Sequence, residues 1–583
     1  MPLTQLPQLK RVMLMRKSIL FLILSTFALT GCANIPQSSR VQIDDTIATA
    51  PDSQLIRVIA RPPVKNASPE ELVKSFFQAC ADSSNGYAIA RQYLTRSIAQ
   101  SWDPDAGISV FDETRLSVSN EVGGVIVSAP LVRSANESGH MEIAERSAQL
   151  QEFFGLTRNN DGEWRISELR NGVFLAQSDA VRSFRGYPVY FLDKELRTLI
   201  PDSILVAQGN AGAATKLMET LLLGPRSMLA SVQTSAIPRD TALTFGSVPI
   251  VNSVAKVDLT SAVLGASVKA RKALAAQIVS TLTSLPSVDR VRITVSGQQL
   301  STPGFPAEMS RADLVDFQPQ DASQANVLNV VVGTRGVNAD PTQGEKKTWT
   351  LSLSDETSIG EVANSLSGAQ VAAVSGDAKK LFIANENIRR FKLIARGESL
   401  SRPAWDLKKN VYVADYGRGV SRYSANGQSR QVFISYNNVG DESQIRKIAI
   451  APDGVQVALI FTYGSQDFIA AGMLESNNGV SQIIGIHRVE QSIDAVRDIA
   501  WLSENQLVVL GRINTAVDQL FTVSTADGST DAKVVPIGAQ HLAVNSRGLV
   551  VISVVDGTNE YVITKEIGAW KQIAKGQAPF FTR

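Results

Sequence analysis

Cysteine is nearly missing from this chain of 583 residues: there are two, Cys32 and Cys80. They cannot form a disulfide framework, and no Cys-x-x-Cys pair exists for zinc or thiol chemistry. Histidine is scarce as well. His140, His487 and His541 lie far apart, and no His-Glu-x-x-His run is present. Gly-x-Ser-x-Gly is absent, as is a Ser-x-x-Lys accompanied by the other marks of penicillin-binding enzymes. Aromatic residues make up 6% of the chain, which leaves few rings for stacking sugars. Neither charge is in excess. Lys10, Arg11, Arg16 and Lys17 all precede Gly31, and 53 basic and 55 acidic residues follow it. That balance excludes nucleic acid as the main partner, because phosphate binding needs a basic excess. No apolar run reaches the ~18 residues that spanning a bilayer requires.

What is present begins at the N-terminus. A basic cluster, Arg11, Arg16 and Lys17, precedes an apolar stretch over 19–29 that only Ser25 and Thr26 interrupt, and Leu29-Thr30-Gly31-Cys32 follows. This is the layout of a secretory signal. Leu-Thr-Gly-Cys resembles the lipobox of bacterial lipoproteins. The resemblance implies cleavage between Gly31 and Cys32, a diacylglycerol on the Cys32 sulfur and a palmitoyl group on its new amino terminus. The protein would then be lipid-anchored on the extracytoplasmic face of the cell membrane. One acyl chain holds marginally and two or more hold firmly, at roughly 0.8 kcal/mol per buried methylene. With Cys32 acylated, Cys80 has no partner in the chain. Met13 or Met15 would give a more compact signal than Met1.

Beyond residues 1–31, the polar, proline-bearing stretch 32–63 reads as a tether. An α+β domain is expected over 64–182. Ser68-Pro69-Glu70-Glu71 reads as a capping box, and Leu72, Val73, Phe76, Phe77 and Cys80 follow at helical spacing, which makes Cys80 a core residue. A second helix carries Tyr87, Ala90, Leu94 and Ile98, and strands are expected over 108–118, 122–132, 141–157 and 164–174. The order of elements is similar to the nuclear-transport-factor-2-like fold.

The segment 186–300 reads as β-α-β-β-α-β, with one small sheet under two helices. Its first strand is Tyr187-Pro-Val-Tyr-Phe-Leu192 and its last Val291-Arg-Ile-Thr-Val295. Leu221-Leu222-Leu223-Gly224-Pro225, Ile237-Pro238, Val257-Asp258-Leu259 and Gln277-Ile278-Val279 resemble the GerMN domain of spore-germination and envelope proteins, which implies binding or assembly.

From 318 to 583 strand pairs recur around short turns. They start at Val371, Pro403, Ile448, Ile499 and Leu542, mostly 40–50 residues apart with a shorter first gap. That period is the mark of propeller blades. The expected fold is therefore two small α+β domains followed by a five- or six-bladed β-propeller, with 327–332 pairing with the C-terminal strands to close the ring.

A lipobox, an α+β domain, a GerMN domain and a degenerate propeller, in that order, resemble the LpqB family of actinobacterial lipoproteins. The resemblance covers nearly the whole chain after Cys32. It implies a non-enzymatic accessory protein of the MtrAB two-component system, touching the extracellular domain of the sensor kinase MtrB. The residues point to no catalyst, cofactor or metal site. Gly209 to Lys216 reads as a helix N-terminus without the Gly-Lys-Ser/Thr ending of a phosphate loop. Asp103-Pro104-Asp105 reads as a surface turn, since no glutamate closes a calcium loop. Asp377, Asp406 and Asp453 are expected to serve blade turns, and His487 to lie in a loop or at a blade edge. The alternative is a propeller that binds or cleaves cell-wall polymer. Cleavage would need two carboxylates about 5–9.5 Å apart in one cleft, and binding would favour Trp and Tyr on one propeller face.

Overall fold

The computed structural model describes residues 60–583, except 209–211, 318–325, 334, 339–348, 351–357, 366–369, 386–390, 425–426, 436–443, 478–479, 515–516, 567–568 and 583. Gly31 and Cys32 lie outside the described residues, as does nearly all of the expected tether. Among the described residues no helix is long and apolar enough to cross a membrane.

The first helix, α1 (Pro69–Ala79), starts as the capping box predicts. The Ser68 hydroxyl accepts from the Glu71 amide at 3.2 Å, and the Glu71 carboxylate accepts from the Ser68 amide at 2.9 Å. The helix buries Leu72, Val73, Phe76 and Phe77, and Cys80 beyond its end is fully buried and unpaired. The expected second helix is two, α2 (Ser84–Arg91) and α3 (Arg96–Ser101). The reason is tertiary: the backbone of Tyr93 and Thr95 bonds to Ile166 in the strand Trp164–Glu168, at 2.9 and 2.8 Å.

Three of the expected strands are likewise divided. Over 108–118, the Asp112 carboxylate accepts from the Thr114 amide and from Arg115 Nε, closing a turn. The pieces Gly107–Phe111 and Ser117–Glu121 then pair with the two halves of one long strand, Gly124–Asn136. The stretch 141–157 becomes Met141–Ile143 and Gln149–Arg158, and 164–174 becomes Trp164–Glu168 and Val173–Ala176. Asp103-Pro104-Asp105 is the short turn expected, with Asp103 accepting from the Asp105 amide.

After a short helix, α4 (Gln177–Ser183), the second unit departs from its expected single sheet. Phe184–Leu192 pairs with Leu199–Ala207, a strand not anticipated, as a separate long hairpin. A five-stranded sheet forms around Val254–Leu259 and its parallel neighbour Arg290–Val295. The helices α5 (Ala213–Leu223) and α6 (Val268–Leu282) join hairpin and sheet in one apolar core. Gln277, buried in that core, is fully used: its carboxamide accepts from Ala236 N at 2.7 Å and donates to Tyr190 O at 3.0 Å.

The described residues of the third unit form a propeller of six blades. Its innermost strands are, in ring order, Gln577–Thr582, Ile359–Asn364, Ala404–Trp405, Gln444–Ile450, Ala495–Ser503 and Ala539–Val544. A separate apolar cluster fills each gap between neighbouring blades, including the gap between the sixth and the first. Burial between the blades thus stabilises each sheet, which could not cover its own faces. Val327–Val332 pairs antiparallel with Gln577–Thr582, so blade 1 contains both the early and the last strand, as expected. The repeat beginning at Val371 is out of phase with the others: it joins the second and third strands of blade 2 (Gln370–Ser375 and Lys380–Asn385), whereas those from Pro403 onward join first and second strands. This explains the short first gap. The aspartates at the turns act as predicted: Asp377, Asp406 and Asp453 each accept from backbone amides two to four residues on.

Candidate functional site

Two features of the propeller concentrate charge. The first crosses its axis. In blades 2 to 6 a charged or ionisable residue stands at the same place, one residue before an apolar residue and an alanine: Glu361-Val-Ala, Arg402-Pro-Ala, Lys447-Ile-Ala, Asp498-Ile-Ala and His541-Leu-Ala. The inner strands run in the same sense, so the repeat brings these five side chains into one layer.

Lys447 Nζ lies 3.0 Å from Asp498 and 3.1 Å from Glu361, Arg402 Nη2 3.1 Å from Asp498, and His541 Nδ1 2.8 Å from Glu361. Backbone groups complete the set: Leu542 N and Ile499 N donate to Asp498 at 2.9 and 3.0 Å, and Arg402 Nη1 donates to Leu542 O at 2.6 Å. The Asp498 side chain is 1% exposed and that of Lys447 13%. Burial alone would push both carboxyls up. Lys447 and His541 outweigh it at Glu361, and Arg402 and Lys447 at Asp498, so both stay below the ordinary carboxylate range. Burial would likewise lower Lys447, yet Asp498 and Glu361 hold it above its ordinary value.

Sequence reasoning did not find this layer. Its signal was the residue just ahead of each apolar repeat, and with the first repeat out of phase the series could not be aligned through Glu361.

The second feature joins the propeller to the upstream units. Ile200, Leu229 and Val232 pack against Met473, Val455 and Ile484 of blade 4. Gly186 N donates to Asp527 at 3.0 Å, and a Cβ at Gly186 would come within 2.7 Å of Ala526. The buried Tyr190 hydroxyl donates to Glu504 at the blade 5 turn and accepts from Arg311 at 3.0 Å. From the first unit, Arg146 reaches Gln491 O at 2.9 Å, and Arg133 donates to Asp527 O. His140 Nε2 lies 3.3 Å from Asp202, which also holds Arg226 at 2.8 Å.

His487 is in the outer strand Val480–Glu490 of blade 4, at the blade edge rather than in a loop, within electrostatic reach of Arg226, Asp202 and Glu142. Burial holds its imidazole below the ordinary range despite a hydrogen bond with Gly485 O. So the three histidines fall at two places: His541 on the axis, His140 and His487 where the three units meet. Among the described residues no group of three or more His, Cys, Asp or Glu could hold a metal ion.

Comparison with known proteins accounts for every unit. A family model described as the N-terminal domain of lipoprotein LpqB matches residues 62–181, and one described as the LpqB beta-propeller domain matches 339–581. Between them, a model described as sporulation and spore germination matches 188–301. Lipoprotein LpqB of Cutibacterium acnes is 28% identical, covering 94% of this chain and 96% of the relative. That of Mycobacterium tuberculosis is also 28% identical, over 85% of this chain and 86% of its own. Among solved structures, TolB from Acinetobacter baumannii covers 45% of this chain and 67% of its own at 13% identity and a TM-score of 0.34.

Proposed function

Because the chain belongs to the LpqB family of lipoproteins, we propose that it works as a membrane-anchored accessory protein that binds the extracellular domain of a sensor kinase of the MtrB type. The observation that carries this reading is the match of every described unit, in order, to a family whose members are named as lipoproteins and bear no enzymatic name. Cys32 would carry the lipid, with Gly31 ahead of the cut.

The architecture supports a binding role. The upstream units occupy the side of the propeller where the turns after the inner strands of blades 4 and 5 lie. The charged layer lies near the middle of those strands, and the end of the axis away from the upstream units is the one we assign to the partner. Cleavage of a glycan is disfavoured by a specific observation. The two carboxylates that the fold gathers, Glu361 and Asp498, share Lys447 and are held ionised by further partners. Neither is placed to donate a proton as a general acid.

The test is crosslinking in intact cells with the full chain, the Cys32→Ala variant and a Tyr463→Glu variant on an exposed blade 4 turn. Recovery of the kinase with the wild type and its loss with Cys32→Ala supports the reading. Recovery of no kinase with the wild type overturns it.

A further inference from the structure

Among the described residues of the propeller, the large aromatic side chains left exposed are Tyr416, Phe433 and Tyr463, at 42%, 64% and 56%. All three belong to blades 3 and 4 or to the strand that links them. A cleft of about 320 Å³ opens between the same two blades, at the lower end of the size of small-molecule sites.

One wall is the turn Gly417-Arg418-Gly419. Both glycines have φ values in the left-handed region, +80° and +85°, which a side chain adopts only with strain. A Cβ at Gly419 would meet Gln431 Nε2 at 3.0 Å, so at the two glycines this wall is backbone. Opposite stand Phe433 and Ile434, and Val432 and Ile445 form a buried apolar floor.

The polar groups are of two kinds. Gln431 is fixed, donating to Arg418 O at 2.9 Å and accepting from Ser421 Oγ at 3.3 Å. The Gln444 carboxamide is exposed and has no hydrogen-bond partner among the described residues, so its donor and acceptor are both available. The one cation of the lining, Arg418, is already held by Glu398 at 3.2 Å and by Asp415 at 3.8 Å. Among the described residues of the lining, no cation without a carboxylate partner stands ready for a phosphate or carboxylate.

We propose that this cleft is a saccharide subsite that takes one neutral sugar ring of an extracellular polymer. A ring of this kind has an apolar face for Phe433 and hydroxyl or amide groups for Gln444, and it carries no charge for which the cleft lacks a partner. The bare glycine wall lets the ring approach the backbone. The kinase-binding role is neither required nor contradicted, because binding to a polymer and binding to a protein are read in separate experiments.

The test uses the full lipidated chain in detergent, titrated calorimetrically with three probes: tetra-N-acetylglucosamine, maltotetraose and tetra-alanine. Expected is saturable binding of at least one of the two sugars with a Kd below ~1 mM. Phe433→Ala should weaken it at least tenfold and Gln444→Ala at least threefold, with thermal melting unchanged because both side chains are exposed. No saturable sugar binding, binding that both variants leave intact, or binding of the peptide alone would each overturn the proposal.

Discussion

Replacing Lys447 by methionine tests whether the axial layer holds the ring together. The side chain bridges Asp498 and Glu361 from a site only 13% exposed, so its loss leaves two buried carboxylates short of a cation. Removing one partner of a buried pair costs about 3–5 kcal/mol. Arg402 and His541 remain as partial partners, so we expect the lower end, about 3 kcal/mol. For a unit the size of this propeller that is a fall in Tm of about 6–12 °C.

The pH dependence adds a second signature. In the wild type both carboxyls are held low in the folded state, so the stability they bring is present above about pH 4 and fades as pH falls through their lowered values. Lys447 is held high, so its share lasts up to about pH 10.4 and fades as pH rises through its folded value. In the variant both carboxyls move up. The acid decline, whose onset at about pH 4 is set by the unfolded chain, should therefore be smaller and end at a higher pH, and the alkaline decline due to Lys447 should vanish. The assay is differential scanning calorimetry from pH 3 to 11, with Arg418→Ala as the control. That residue and Glu398 form an exposed pair, 60% and 65% accessible, of the kind that contributes less than ~1 kcal/mol. If Lys447→Met costs no more than this control at pH 7, the layer is not holding the blades and the reasoning fails.

Gly186→Val should push the hairpin off Ala526 and cost about 1–3 kcal/mol through overpacking, read as faster protease nicking between the second unit and the propeller. Asp453→Ala removes the acceptor for Val455 N, Gln456 N and Gln456 Nε2 in a buried turn. A loss of about 2–3 kcal/mol is expected, and a melting curve that does not move would refute it. Cys32→Ala should leave an uncleaved, unlipidated precursor, read by mass spectrometry; the normal lipoprotein mass shift in that variant would refute the lipobox reading.

What the sequence disclosed was whatever local chemistry determines. The Ser68–Glu71 box, the helix after Gly212 and the aspartate turns depend on neighbours a few residues away, and they stand where their spacing put them. The core face of α1, Cys80 included, followed from periodicity alone. What it hid depends on distant partners. The break at Gln92–Thr95 is made by Ile166 from across the sheet, and the hairpin strand Leu199–Ala207 is long only because Phe184–Leu192 lies beside it. The axial layer was hidden in another way. Each of its residues is unremarkable by itself, and only a ring places Glu361 against both Lys447 and His541. The exposed aromatics of blades 3 and 4 show the same limit, since their gathering is a property of neighbouring blades and not of composition.

Blade 1 places a condition on how the protein is made. Its innermost strand, Gln577–Thr582, is synthesised after all the other described strands of the ring and must find Val327–Val332, some 250 residues earlier in the chain. A chain emerging from a translocation pore with its N-terminus first would have Val327–Val332 outside long before its partner arrives. During that interval one strand edge and the apolar cluster around Val331, Phe382 and Phe580 stay open. The rate at which the chain is delivered therefore acts on this one seam. A stop codon that removes only the strand Gln577–Thr582 would leave five blades and the three outer strands of blade 1, a ring able to zip onto a neighbouring copy instead of itself.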